Sequence, residues 1–175
     1  MLELVENEDH YRKVVEEIII KARYRLDIVT APLKALVIPH GRKSQSICNL
    51  FKKNCKNGTS IRILHSSVPS EYFIKTAYKN DLNKAENFAM RRCPRVHQKS
   101  ILADGKLLYL GSANLTGAGI GAKSESRRNF ELGIITDDSE LIDRVDSLFE
   151  LIWSGDMCLS CNRKKSCPIP LEELK

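Results

Sequence analysis

Residues 97–114, HQKSILADGKLLYLGSAN, decide how the chain is read. Asp104-Gly105 sits between two apolar runs, and Asp-Gly in that position is the strongest local signal for a hairpin with a two-residue turn. The pattern predicts one strand over His97–Ala103 and a return strand over Lys106–Ser112. Side chains two apart on a strand share a face, so His97 and Lys99 are expected to point the same way. The small residues Gly111-Ser112-Ala113-Asn114 end the return strand beside His97. An imidazole that can act as nucleophile or acid, a fixed ammonium, and hydroxyl and carboxamide donors together suit a phosphoryl group.

Taken singly, these residues are ordinary: strand histidines mostly hydrogen-bond, surface lysines are solvated, and Gly-Ser is usually a turn. In combination, His97-x-Lys99, Asp104 and Gly111-Ser112-x-Asn114 resemble, in type and spacing, the HKD signature of the phospholipase D superfamily. Asn129-Phe130-Glu131 extends the likeness, because that family commonly carries an acidic residue on the next strand. The resemblance covers roughly Leu26 to Trp153. It implies a mixed α/β sheet flanked by helices on both faces, with one motif per chain. It also implies that His97 attacks phosphorus to give a phosphohistidine, which water then hydrolyses without a catalytic metal. Lys99, Ser112 and Asn114 would hold the phosphoryl oxygens. Glu131 would fix the His97 tautomer, and Asp104 would act as a turn and hydrogen-bonding residue. A second histidine must protonate the leaving oxygen, yet His10, His40 and His65 lie outside any His-x-Lys setting. Single-motif members of the family build one site from two subunits, so a homodimer with paired His97 side chains is implied.

Working outward, the periodicity predicts a helix over 8–23 with Tyr11, Val14, Val15, Ile18, Ile19 and Ala22 on one stripe. A strand follows over Leu26–Ala31, stopped by Pro32. Leu33–Arg42, with two prolines, reads as a loop. Further elements are a helix over Ser44–Lys56 ended by Asn57-Gly58, a strand over Ser60–His65, a helical stretch from Pro69 to Lys84, and an edge strand over Asn87–Arg92. Leu115–Arg128 is a Gly- and Ser-rich loop. Its Gly117-x-Gly119-x-Gly121 lacks the strand–helix context of a dinucleotide site. A strand over Asn129–Thr136 and a helix capped by Ser139 complete the alternation of an α/β sheet.

The 175 residues divide into a catalytic domain over 1–153 and a Cys-rich tail over 154–175. With 29% charged and 42% apolar residues the composition is that of a globular chain, and no run approaches a membrane span. The acidic N-terminus does not resemble a secretion signal, which suggests a cytoplasmic protein with no membrane association. Six cysteines there point to thiols or metal ligands before disulfides. Cys158-x2-Cys161-x5-Cys167-Pro168, with Arg163-Lys164-Lys165 inside it, could hold zinc or an iron–sulfur cluster. The triplet resembles the C-terminal part of the iron–sulfur staple of some nucleases. Cys93 is the favoured fourth ligand, with Cys48 and Cys55 as alternatives.

The net charge of +6 suits a polyanion. Arg91, Arg92, Arg95, Arg127 and Arg128 bracket the motif, and no amphipathic membrane helix is evident. The sequence therefore favours an endonuclease acting on DNA or RNA. A phospholipid phosphodiesterase and a non-catalytic nucleic-acid-binding module are the alternatives.

Overall fold

The computed structural model describes residues 1–34, 36–40, 43–163, 167 and 172–173. An eight-stranded mixed sheet forms the middle layer, in the order β1-β9-β8-β7-β2-β5-β6-β10. Its strands are β1 (Leu2–Glu6), β2 (Arg25–Thr30), β5 (Ser60–His65), β6 (Phe88–Arg92), β7 (Ser100–Ala103), β8 (Leu107–Gly111), β9 (Leu132–Thr136) and β10 (Glu172–Glu173). β2, β5 and β6 run parallel, and β7, β8, β9 and β1 extend the sheet by antiparallel pairing.

Alternation along the strands explains the layering. Leu26 and Ile28 of β2, Ile61 and Ile63 of β5 and Ile101 of β7 join the main core. The N-terminal helix (Tyr11–Ile19), α1 (Ile47–Lys56) and α2 (Glu71–Lys79) contribute Val14, Val15, Ile18, Ile19, Phe51 and Phe73 to it. The intervening residues Val29, Leu64, Leu102 and Leu108 belong to two smaller clusters built with Ile142 and Phe149 of α3 (Ser139–Trp153). The expected sheet with helices on both faces is what forms.

Several boundaries differ from expectation. The N-terminal helix is shorter than 8–23 and wound wide, Ile20 N–H donating to Val15 O at 2.9 Å. Leu33–Arg42 is not simply a loop. β3 (Val37–His40) pairs antiparallel with β4 (Lys43–Ser46) in a separate two-stranded ribbon. Buried Leu36 and Ile38 pin that ribbon to the core, and Pro39 is tolerated because a two-stranded ribbon is all edge. Ser46 then caps α1 by accepting from Cys48 N–H at 3.2 Å. α3 is capped by Asp138, which accepts from Leu141 N–H at 2.8 Å, not by Ser139. The sequence pattern does not disclose β1, since Val5 is the only buried residue in it. β6 is not an edge strand, because β10 pairs Glu172 with Arg92 and Glu173 with Arg91. The tail thus returns to the sheet. Lys164, Lys165, Pro168, Ile169, Leu171 and Leu174, named above or within the same tail, lie outside the described residues.

The hairpin itself has a three-residue connection, with Ala103 paired to Leu107. Asp104 and Gly105 both take the expected positive φ, +56° and +64°. The extra residue follows from what Asp104 does. Its N–H donates to Arg25 O, and its carboxylate accepts the backbone N–H groups of Arg23, Tyr24 and Arg25 at 2.7–3.2 Å. Burial pushes this carboxyl up, but the three amides and Lys106 outweigh it and hold it below the usual carboxylate range. A depressed folded-state value means stability that is present above the ordinary carboxylate range and lost as pH falls toward the depressed value. Asp104→Asn is expected to lower stability by about 1.5–3 kcal/mol at neutral pH, the usual worth of hydrogen bonds to a charged group. Its cost should shrink under acid, and turnover should stay near wild type, because the hairpin tip is at the far end of the sheet from His97. Thermal melts at pH 7 and pH 4, alongside an activity assay, check this.

Candidate active site

β2 ends at Thr30, ahead of Pro32, and β8 ends at Gly111, whose N–H donates to Lys99 O at 3.2 Å. With both neighbours ending there, His97–Lys99 has no further ladder to join. The strand predicted over His97–Ala103 therefore begins only at Ser100, and His97 and Lys99 lie on the extended segment entering it. Ser112 and Asn114 follow β8 at the same end of the sheet, and β9 begins there beside Glu131. The motif residues are thus gathered by the ends of β7, β8, β2 and β9.

Each side chain has a definable state. His97 is exposed, and no described residue hydrogen-bonds its ring. Lys99 Nζ rests on the His97 carbonyl. Asn114 is fixed by its oxygen. Oδ1 accepts from Ala31 N–H at 3.0 Å and from Thr30 Oγ1 at 3.3 Å, which leaves Nδ2 as the donor the side chain has to offer. Thr30 Oγ1 in turn accepts from Leu115 N–H at 3.0 Å, tying the loop after the motif to β2. Thr30 and Ala31 hold the Asn114 side chain, a contact that the sequence pattern does not disclose. The Thr-Ala-Pro at a strand end was the available signal.

Glu131 does something other than expected. Its carboxylate accepts from Ser112 Oγ and, at 3.0 Å, from Asn129 Nδ2; it is not hydrogen-bonded to His97. Asn7, in the turn just after β1, clamps the Glu131 backbone, donating to its carbonyl at 2.9 Å and accepting its N–H at 3.2 Å. Glu131 therefore orients the Ser112 hydroxyl. Gly111 is required by close approach. A Cβ there would lie 2.3 Å from the Tyr109 hydroxyl and 2.8 Å from Leu132 O. Gly119 plays a related part under Asn114, whose carbonyl would be 2.6 Å from a Cβ. The glycines after the motif thus shape the site loop.

His10 and His65 stand apart in state. His10 is fully buried, donates from Nδ1 to Asn7 O at 2.9 Å, and is held below its ordinary pKa by burial. His65, buried at the end of β5, bonds the Ser67 carbonyl through Nδ1 at 2.9 Å. Neither presents an exposed imidazole beside His97.

The five arginines divide. Arg91 lies over the Trp153 ring at 4.9 Å and bonds the Trp153 carbonyl, which makes it a packing residue. Arg128 reaches Glu8 at 3.4 Å. Arg127 is exposed, with Nε on Ser124 Oγ at 3.2 Å. Arg92 pairs through its backbone with Glu172. Arg95 hydrogen-bonds Cys161. The Arg163 backbone first, then Arg95, holds that thiol below its usual value.

Cys93, Cys158 and Cys161 line one recess of about 350 Å³ that also includes His97. Among the described residues, no three His, Cys, Asp or Glu side chains are gathered as they would be around a metal ion. Cys48 and Cys55 belong to the α1 core, where burial pushes both thiols up to about 11. Among the described residues, no helix is long and apolar enough to cross a membrane.

Comparison with known proteins identifies the fold and the family. Cardiolipin synthase A of Pseudomonas syringae pv. syringae (strain B728a) is 34% identical over 95 residues, which is 52% of this chain. The chain spans only 19% of that relative's length. NucT from Helicobacter pylori superposes with a TM-score of 0.61 at 20% identity, covering 86% of this chain and 93% of its own. Nuc from Salmonella typhimurium, a phospholipase D family member, gives 0.62 at 14%, covering 88% and 94%. At such identities these two structures establish the fold alone. Residues 15–153 match the family described as "Cardiolipin synthase, PLD-like domain". By that match and by the fold, the chain belongs to the phospholipase D superfamily.

Proposed function

We propose that the chain is a nuclease that cleaves phosphodiesters through a phosphohistidine, at a site completed by a second copy of itself. The observation that carries the reading is an exposed imidazole, His97, at the same end of the sheet as Lys99, Ser112 and an Asn114 held by its oxygen. His97 attacks phosphorus, forming an N–P bond as the P–O bond to the leaving oxygen breaks. The partner subunit's His97 gives that oxygen its proton. Water then attacks phosphorus, the N–P bond breaks, and the proton returns to the partner subunit's His97. Lys99 and the neutral donors offset the charge that grows on the phosphoryl oxygens. A second copy is also supported by apolar surface beside the site. Phe130, next to Glu131, is 97% exposed, and Leu132, at the start of β9, is exposed as well.

Polynucleotide is favoured by the charge of +6 and by exposed Arg127 beside the site loop. A phospholipid diester is the second reading, favoured by the 34% identity to a cardiolipin synthase. The deciding assay offers labelled single- and double-stranded DNA and RNA, and phosphatidylglycerol–cardiolipin vesicles, each with EDTA. Cleavage of a polynucleotide that survives EDTA is expected; turnover of the vesicles alone would reverse the assignment. Arg127→Ala should also reduce the slope of log K against log salt by about 0.7–0.9, the share of one phosphate contact. Titrations at several salt concentrations measure it.

A further inference from the structure

The recess beside His97 is apolar over most of its wall, and nothing in the mechanism above uses it. Val96 comes from the β6–β7 segment, Leu148 and Ile152 from α3, and Met157 from the turn after α3. Gln98 contributes to the same wall, and its Nε2 is buried with no hydrogen-bond partner. A buried amide donor left unpaired costs free energy, and an acceptor on a ligand recovers it. At about 350 Å³ the recess is within the range of small-ligand sites, which pair apolar walls with a few polar groups.

We infer that this recess seats the base of the nucleotide next to the scissile phosphate; the inference rests on the nuclease reading. His97 is itself part of the wall, so a group held there is bonded within a nucleotide of the phosphorus under attack. A base offers flat apolar faces to Leu148, Ile152 and Met157, and ring or exocyclic acceptors to Gln98. An acyl chain would fill the same walls but leave the Gln98 amide unsatisfied. Arg95, in the same wall, places positive charge by the backbone of a chain entering the recess. A base must leave its stack to enter, which costs least in a single strand. Single-stranded polynucleotide is therefore the substrate class that fits.

The test uses the full-length protein and a single-stranded DNA oligonucleotide, with an RNA counterpart, carrying one abasic residue beside a mapped cleavage position. Loss of a seated base should lower kcat/KM at that linkage about 5- to 10-fold, the low end of the range for a base stacked on an aromatic ring, because this wall is aliphatic. Ile152→Trp, which fills the recess, should bring the intact-to-abasic ratio close to one. Gln98→Ala, a smaller change suited to the case where the tryptophan variant fails to fold, should reduce the ratio in the same direction. Equal cleavage of intact and abasic linkages by the wild-type protein would overturn the inference while leaving the nuclease reading in place. So would a ratio unchanged in Gln98→Ala. Cleavage of phospholipid vesicles with none of either oligonucleotide would instead overturn the nuclease reading, and the recess assignment with it.

Discussion

His97→Ala is expected to lower phosphodiester cleavage on the order of 10⁴-fold or more, the scale on which removal of an enzymic nucleophile acts. The magnitude follows from the site: among the described imidazoles none other is presented beside Lys99, since His10 and His65 are buried and their Nδ1 atoms bond backbone carbonyls. Stability should hardly change, because His97 is exposed and no described residue hydrogen-bonds its ring. Circular dichroism and a thermal melt should therefore overlay those of the wild type. A two-subunit site makes a further demand. In mixed dimers of wild-type and His97→Ala chains, every site has lost either its nucleophile or its acid. Activity should then fall as the square of the wild-type fraction, whereas independent sites would lose it linearly. Lys99→Met should be less severe, because Asn114 Nδ2 and Ser112 still face the phosphoryl group. A variant that loses activity together with its fold would show that the residue serves structure instead.

How far the sequence disclosed this site depends on the scale of the interaction involved. The motif was legible because its chemistry is local: His97, Lys99, Ser112 and Asn114 lie on one hairpin and its exit. Asp104 was legible as a turn residue, but its carboxylate reaches the amides of Arg23, Tyr24 and Arg25, about 80 positions away in the chain. No local pattern contains that. The clamp of Asn7 on Glu131 spans still more sequence, and β1, which it follows, buries one residue alone. Glu131 lies next to the start of β9, as the pattern implies, but its carboxylate meets Ser112 and Asn129, not His97. Spacing tells which strand end a carboxylate occupies, whereas its rotamer is decided by Ser112 and Asn129. The arginines show the same limit: five positive charges near a motif read alike in sequence, yet Arg91 is spent on the Trp153 ring.

The largest stability loss is expected from Arg62→Met. Asp27 on β2 faces α3 and is 2% exposed, a carboxylate almost wholly removed from water. Arg62, on the neighbouring strand β5, meets both of its oxygens, with Nε at 2.7 Å and NH2 at 2.9 Å. The same guanidinium bonds Glu150 of α3 and lies 4.7 Å from the Phe149 ring centroid. Burial by itself would push Arg62 down, but Asp27 and Glu150 outweigh it and keep the group charged. Removing one partner of such a pair leaves a buried charge uncompensated, at about 3–5 kcal/mol. For a chain of this length that is a fall in Tm of roughly 6–20 °C. Arg25, at 3.1 Å from Asp27, keeps the loss toward the lower figure. Without Arg62, burial raises the Asp27 carboxyl further above its ordinary range. A raised folded-state value gives stability that is full below the unfolded value and lost as pH rises through the folded one. The deficit of Arg62→Met should accordingly widen between pH 4 and pH 7.5. Adding Asp27→Leu to it should recover part of the loss, since no buried charge then remains. Urea denaturation of the single and double variants at both pH values measures these differences. A double variant less stable than Arg62→Met at pH 7.5 would show that the Arg62 stem and its stacking on Phe149, not the charge on Asp27, hold α3 to the sheet.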